Sequence, residues 1–350
     1  MSTTEYSQAY LNESRQRDLW AVSICFLVLE TIAVGLRFLS KRLGRVKWGL
    51  DDVFILLGYG CCMTVAALGL NDVINGGSGL HEVRVLEMNP ETLVTWGHMI
   101  IAIPLVYVFA VVFPKLAILH LFLSVFTDKR ARLTCYLTAI VMLLNMVALF
   151  ITGLLSCIPL SYYWTEAPGG HCININMYFR WAGFPNLLTD IVMLILPIPT
   201  VWALQLSTKM KWGVLVTFLL GSLGLISSLC RFIEFYLTDA TVDGTWSATP
   251  LITWCMAECG IYLIAACLPL YRPLVRLFSR KKRSQTGTEL TDTSDSKQGF
   301  NSTGSRASGR THYKLGSVAD DEEDALGLVS YTKVEQGAVQ VQVERDATAH

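Results

Sequence analysis

Long apolar runs separated by short polar connections dominate this chain. They fall at about 20–40, 51–72, 95–126, 132–157, 181–205, 212–237 and 250–272. A helix needs about 20 mostly apolar residues to cross the hydrocarbon core of a bilayer, and each run has that length. Within hydrocarbon every backbone N–H and C=O must find its partner inside the segment, which a helix achieves and a lone strand does not. The pattern therefore predicts an all-α fold, a bundle of seven transmembrane helices over 20–275. Residues 1–19 are polar and lack the layout of a cleavable signal peptide; they are expected to form an extracellular N-terminal segment. From 276 to 350 the chain turns to Ser, Thr, Gly and charge, with the acidic block Asp320-Asp321-Glu322-Glu323-Asp324. Such a composition buries too little apolar area to offset chain entropy, which predicts a disordered cytoplasmic tail.

Composition sharpens the class. Of 350 residues 52% are hydrophobic and only 16% charged, against about 25% charged in a soluble domain, which excludes an ordinary soluble enzyme. Lys plus Arg equals Asp plus Glu at 28 each, so net charge gives no sign of a nucleic-acid partner. Position carries the information. Alternate connections hold Lys41, Arg42, Arg45 and Lys47, then Lys129, Arg130 and Arg132, then Lys209 and Lys211, then Arg272, Arg276 and Arg280-Lys281-Lys282-Arg283; the others hold Arg15, Arg17, Arg84 and Arg180. Cytoplasmic loops are the basic ones, so the N-terminus is expected outside, with the plasma membrane as the location. The basic run at 280–283 suits anionic inner-leaflet lipid as well as stop-transfer charge. Trp20, Trp48, Trp96, Trp164, Trp181, Trp202, Trp212 and Trp246 fall near span ends, where indole favours the headgroup level. Asn12-Glu13-Ser14 is a glycosylation sequon on the outer side, whereas Asn301-Ser302-Thr303 lies in the cytoplasmic tail.

Eight of the ten cysteines fall within spans, where cysteine behaves as a small hydrophobe. Cys255 and Cys259 are one turn apart, but no further ligand completes a metal set. Cys157 and Cys172 differ: both face the oxidising side, and a disulfide between them is expected.

Charges inside a bilayer need partners and often mark function. Two groups stand out by depth. Asn186 and Asp190 share a face of the fifth helix, Arg231 and Glu234 share one of the sixth, and Glu258 lies on the seventh. This outer group reads either as a ligand pocket or as an ion-pair network that holds the bundle together. The inner group contains Arg37, Asp51 and Asp52 at the start of the second helix, and Lys115 in the third. The aspartates suit a helix N-terminus, and Lys115 pairing with one of them would serve as a static brace or as a lock between two helix arrangements. Glu30, His98, His120 and Asn145 read as interhelical hydrogen-bonding groups. Pro104, Pro114, Pro185, Pro197, Pro199 and Pro269 interrupt helices and permit kinks.

No His-Glu-x-x-His, Gly-x-Ser-x-Gly or phosphate-loop pattern is present, so catalysis has no positive sign. An ordered set of pieces remains: Lys47-Trp-Gly-Leu-Asp51-Asp52, Pro114-Lys115-Leu-Ala-Ile-Leu, Cys157-x-Pro159, Trp164, Cys172, Asn186, Asp190, Leu196-Pro197-Ile-Pro199, Cys230-Arg231, Glu258 and Leu268-Pro-Leu-Tyr-Arg-Pro273. In that order, on seven spans, the chain resembles the fungal rhodopsin-domain integral membrane proteins. The resemblance implies a seven-helix fungal membrane protein, some of whose relatives are regarded as G-protein-coupled-receptor-like. It implies no cofactor here, because a retinal Schiff base requires a lysine and 250–272 has none. The expectation is a receptor-like protein that senses a small ligand at Asp190, Arg231 and Glu258 and engages a G protein or another cytosolic signalling partner. The alternative is a transporter or accessory membrane protein of a metabolite pathway.

Overall fold

Each apolar run forms a helix that begins a few residues early, where a polar or charged first turn meets it. In the computed structural model, which describes residues 7–165, 168–198, 208–237 and 243–271, the long helices are α1 (Gln16–Leu43), α2 (Leu50–Asn71), α3 (Glu91–Val125), α4 (Lys129–Leu154), α5 (Ile175–Ile195), α6 (Thr208–Leu237) and α7 (Gly244–Cys267). Asp52 reaches back to the Gly49 N–H at 2.9 Å and closes the first turn of α2. Asp128 and Asn174 cap α4 and α5 by accepting from Ala131 and Met177. Among the described residues, five segments are long and apolar enough to cross a membrane: Gln8–Leu43, Leu50–Gly76, Glu91–Val125, Lys129–Leu154 and Gly244–Tyr271. Apart from the two-residue pair β1 (Cys157–Ile158) and β2 (His171–Cys172), the described regular structure is helical, so the all-α expectation holds.

The helices are built inside out relative to a soluble bundle. On α1, Ile24, Val28, Ile32, Leu36 and Leu43 are exposed, while Ser23, Glu30, Arg37, Ser40 and Lys41 on the other face are buried. A bilayer solvates the first set and the bundle satisfies the second. Packing then depends on close approach: a Cβ on Gly58 of α2 would stand 2.9 Å from the Pro114 ring of α3. Pro104 and Pro114 sit within α3, which at 35 residues runs to ~53 Å and so exceeds the hydrocarbon thickness. Helix α7 is the central post, buried along most of its length.

The two ends of the bundle are built differently. At one end Cys157 and Cys172 face each other across the β-pair and are joined by the expected disulfide. The N-terminal segment is not a free extension there. Ser7 caps the short helix Gln8–Leu11, Leu11 is buried, and Arg84 donates to Leu11 O (3.0 Å) and to Asn12 Oδ1 (2.7 Å). The His81 ring is stacked between Tyr10 (3.7 Å) and Trp246 (4.1 Å), with Nδ1 2.5 Å from Asp243 Oδ2. The expected boundary at residue 19 therefore moves: α1 already starts at Gln16, and residues 7–15 form part of a packed cap. Trp164 and Trp246 belong to that cap, packed on Gly97 and His81, whereas Trp48 and Trp181 are exposed as a headgroup belt requires. The tail from 276, with its basic and acidic runs and Asn301, lies outside the described residues, as do Pro199 and Trp202.

Candidate functional site

The buried charges assemble into two networks, and the structure redistributes one residue between them. Around the start of α2, Arg37 donates through Nε to Asp52 Oδ1 at 3.2 Å and through Nη2 to Asp52 (3.0 Å) and Asp51. Its Nη1 reaches Ala266 O on α7 at 2.8 Å. Lys41, one turn after Arg37 on the same face of α1, pairs with Asp52 and lies 3.5 Å from Asp51. Two cations from α1 therefore neutralise two carboxylates of α2, and Tyr271 fastens the arrangement by donating to Ala33 O at 2.6 Å.

Lys115 is absent from this set. The expected pairing with Asp51 or Asp52 is not made, because Lys115 stands ten residues before the end of α3, ~15 Å deeper than the first turn of α2. Its Nζ instead donates to Asn186 Oδ1 at 2.9 Å, pairs with Asp190, and lies 3.7 Å from Glu258 Oε1. It also sits 4.3 Å from the centroid of the Tyr262 ring, where the electron-rich face favours a cation. The second network is thus larger than the sequence indicated and centres on Glu258. Arg231 Nε donates to Glu258 Oε2 at 2.8 Å, Tyr107 Oη to the same oxygen at 2.6 Å, and Asn186 Nδ2 to Oε1 at 2.6 Å. Ser228 Oγ lies 2.6 Å from Asp190 Oδ2 and 2.7 Å from Glu258 Oε1. A hydroxyl carries one proton, so Ser228 bonds one carboxylate at a time.

Asn186, Asp190, Arg231 and Glu258 are therefore brought together as their spacing suggested, with Lys115 added. Glu234 lies one turn beyond Arg231 and is half-buried. Tyr107, Ser228 and Tyr262 were missed although the spacing was visible. Tyr107 is two turns before Lys115, Ser228 is three residues before Arg231, and Tyr262 is four after Glu258, all on shared helix faces. Glu30 stands apart on α1, buried against Gly260, and its Oε2 has no hydrogen-bond partner among the described residues.

Cavities flank the Glu258 network. One of about 60 Å³ is lined by Tyr107, Asn145, Asn186, Arg231, Phe235 and Cys255 among others, on the side of the disulfide. Another of about 30 Å³ lies on the opposite side and is lined by Asp190, Tyr262, Phe218 and Pro269 among others. Among the described residues no hydrogen bond or ion pair joins the two networks. On α7 the interval from Glu258 to Ala266 is eight residues, ~12 Å, and contains the buried Leu263.

With this geometry in place, the sequence can be set beside known proteins. The profile of the fungal rhodopsin domain matches residues 36–277. The chain belongs to that family. It is 35% identical over 261 residues to the polyenoic acids biosynthesis gene cluster protein Ba17b of Metarhizium anisopliae, covering 71% of each chain. It is 32% identical over 219 residues to a SAT4 family membrane protein of Emericella nidulans, covering 61% of this chain but about half (54%) of that relative. Identity to the receptor GIN3 of Arthrobotrys oligospora is 24% over 289 residues, 82% of this chain and 69% of the relative. No solved structure matches the chain. Family membership and the apolar helices together make this a multi-pass fungal membrane protein. The family's name evokes retinal, yet α7 carries no lysine.

Proposed function

We propose that this protein is a receptor-like sensor of a small ligand, with all seven helices spanning the plasma membrane. The disulfide and N-terminal cap then face outward, and the Asp51–Asp52 end faces the cytosol. The uneven distribution of Lys and Arg supports that orientation, and it leaves Asn12 on the side where its sequon is modified. The observation that carries the reading is the cavity beside Arg231, which ends on the Glu258 network. A ligand seated there contacts Asn186, Tyr107 and Arg231, all of which hold Glu258. Moving Glu258 changes which carboxylate Ser228 bonds and so alters the wall of the cytosolic-side cavity at Asp190 and Tyr262. A shared proton with two nearly equivalent acceptors is a two-state element that a ligand can bias. Arg37, Lys41, Asp51 and Asp52 brace the cytosolic end, where a G protein or similar partner would dock.

The second reading is a transporter or accessory protein of a metabolite pathway. It draws support from the cavity on the far side of the same network and from the biosynthesis-cluster names of relatives. The two readings separate in one preparation. Purified protein in lipid should accelerate nucleotide exchange on Gα subunits of the host, and the Asp190→Asn, Glu258→Gln variant should not. Absence of exchange with every Gα, together with substrate flux across proteoliposomes, overturns the sensor reading.

A further inference from the structure

The walls of the cavity beside Arg231 are unequally covered. Val108 and Val111 of α3 and Arg231 of α6 are buried, whereas Asn145 of α4 and Tyr178 and Ala182 of α5 are half-buried. The open side is therefore the seam between α4 and α5. Its lips are apolar and outward-facing: Leu144 is 66% exposed and Trp181 61%, surfaces that a bilayer covers. A further cavity of about 30 Å³ shares Pro104 and Tyr178 with the first and runs between α3, at Ile101 and Leu105, and the end of α4 at Gly153. From Asn145 to Gly153 the groove extends ~12 Å. At about 60 Å³ the cavity has room for a few waters, the size of the polar end of a molecule rather than of its whole body.

Charge decides the kind of polar end. Lys115 and Arg231 balance Asp190 and Glu258, so a charged ligand would leave an uncompensated charge in a low-dielectric site, and an uncharged one would not. The amide of Asn145 has no hydrogen-bond partner among the described residues, yet it lines the cavity and can both donate and accept. We infer that the cavity takes an uncharged, elongated lipophilic molecule that enters from the bilayer between α4 and α5. It places a hydrogen-bonding end (amide, ester, alcohol or ketone) at Asn145 and lays its apolar body along the α4 groove. The inference rests on the sensor reading only in treating this cavity as the ligand site.

The test uses the full chain in nanodiscs and three photoreactive probes. Each carries the same diazirine-bearing octyl chain, ended by a primary amide, a carboxylate or an ammonium. The amide probe should label peptides of 141–149 and 178–184, and each charged probe should label them at under a tenth of that yield. Ala182→Trp, or the smaller Ala182→Phe, fills the seam and should remove the labelling while the unfolding midpoint in SDS stays at the wild-type value. Asn145→Leu should weaken competition by unlabelled octanamide about tenfold, the loss of one hydrogen bond. Equal labelling by a charged probe, or labelling spread over the lipid-facing helices and indifferent to both Ala182 variants, overturns the inference. Labelling is read without Gα. A chain that labels as expected, promotes no nucleotide exchange on any Gα and carries substrate flux overturns the sensor reading and leaves this one standing.

Discussion

Replacing Lys115 with Met tests whether the Glu258 network is an interdependent unit. The side chains of Lys115, Asp190 and Glu258 are all fully buried. Met keeps the length and apolar stem of Lys115 but removes the cation, which leaves Glu258 paired with Arg231 and Asp190 without the cation it pairs with. Removing one partner of a buried ion pair costs about 3–5 kcal/mol because the remaining charge is uncompensated. Adding Asp190→Asn deletes the surplus charge and keeps an oxygen for Ser228, which lies 2.6 Å from Asp190 Oδ2. The double variant should therefore recover about 2 kcal/mol of what Lys115→Met loses, a coupling within the range seen for contacting residues. The assay is unfolding in mixed micelles with rising SDS, followed by helical circular dichroism, on the wild type, both single variants and the double. If Lys115→Met loses under about 1 kcal/mol, or the two substitutions add to within about 0.5 kcal/mol, the charges are not coupled and the reasoning fails.

Other substitutions probe the packing and the cap. A Cβ at Gly224 would stand 2.5 Å from Cζ of Tyr262, the ring that covers Lys115. Gly224→Ala should therefore destabilise by about 1–3 kcal/mol in the same titration, while Gly35→Ala, with nothing within 4 Å, should not. Asp243→Ala removes the acceptor of His81 Nδ1 and of the Glu82 N–H; backbone amides of residues 7–15 should then exchange hydrogen at least tenfold faster, consistent with about 1–3 kcal/mol for an unsatisfied buried group. Burial, with a smaller contribution from the carboxylate of Glu82, pushes the Tyr163 phenol up to about 12. A raised folded-state value means that the neutral form is favoured by folding, so this contribution is fully present below about pH 10 and is lost as pH rises through about 12. Ultraviolet titration of Tyr163→Phe should show one late-ionising phenol fewer than the wild type.

The helices and the mid-bundle site were legible for the same reason: hydrocarbon penalises unsatisfied polar groups so heavily that their spacing must reflect pairing. Asn186 and Asp190 share a face, Arg231 and Glu258 lie near that depth, and the structure brings all four together. Helix ends were less legible, because α1 and α7 begin in polar or small residues that hydropathy does not count. Glu234, by contrast, shares the Arg231 face and yet stays half-buried.

The misplacement of Lys115 follows from reading depth without rotation. Measured along the chain, it lay between the two groups, and nothing in a single sequence states which helices α3 faces. The structure supplies that. Gly58 lets α2 approach α3 on the side of Pro114, and this turns the next residue, Lys115, toward α5 and α7. Lys41 shows the converse error. It was counted as a loop charge that sets orientation, but it lies one turn beyond Arg37 and is 4% exposed. Once Lys115 is turned away, Asp51 and Asp52 require a second cation beside Arg37, and Lys41 of α1 supplies it. Each network pairs two cations with two carboxylates; the inner group read from the sequence was already balanced with Lys115 in it, so only the outer group, with Arg231 as its single cation, signalled that a lysine was missing there.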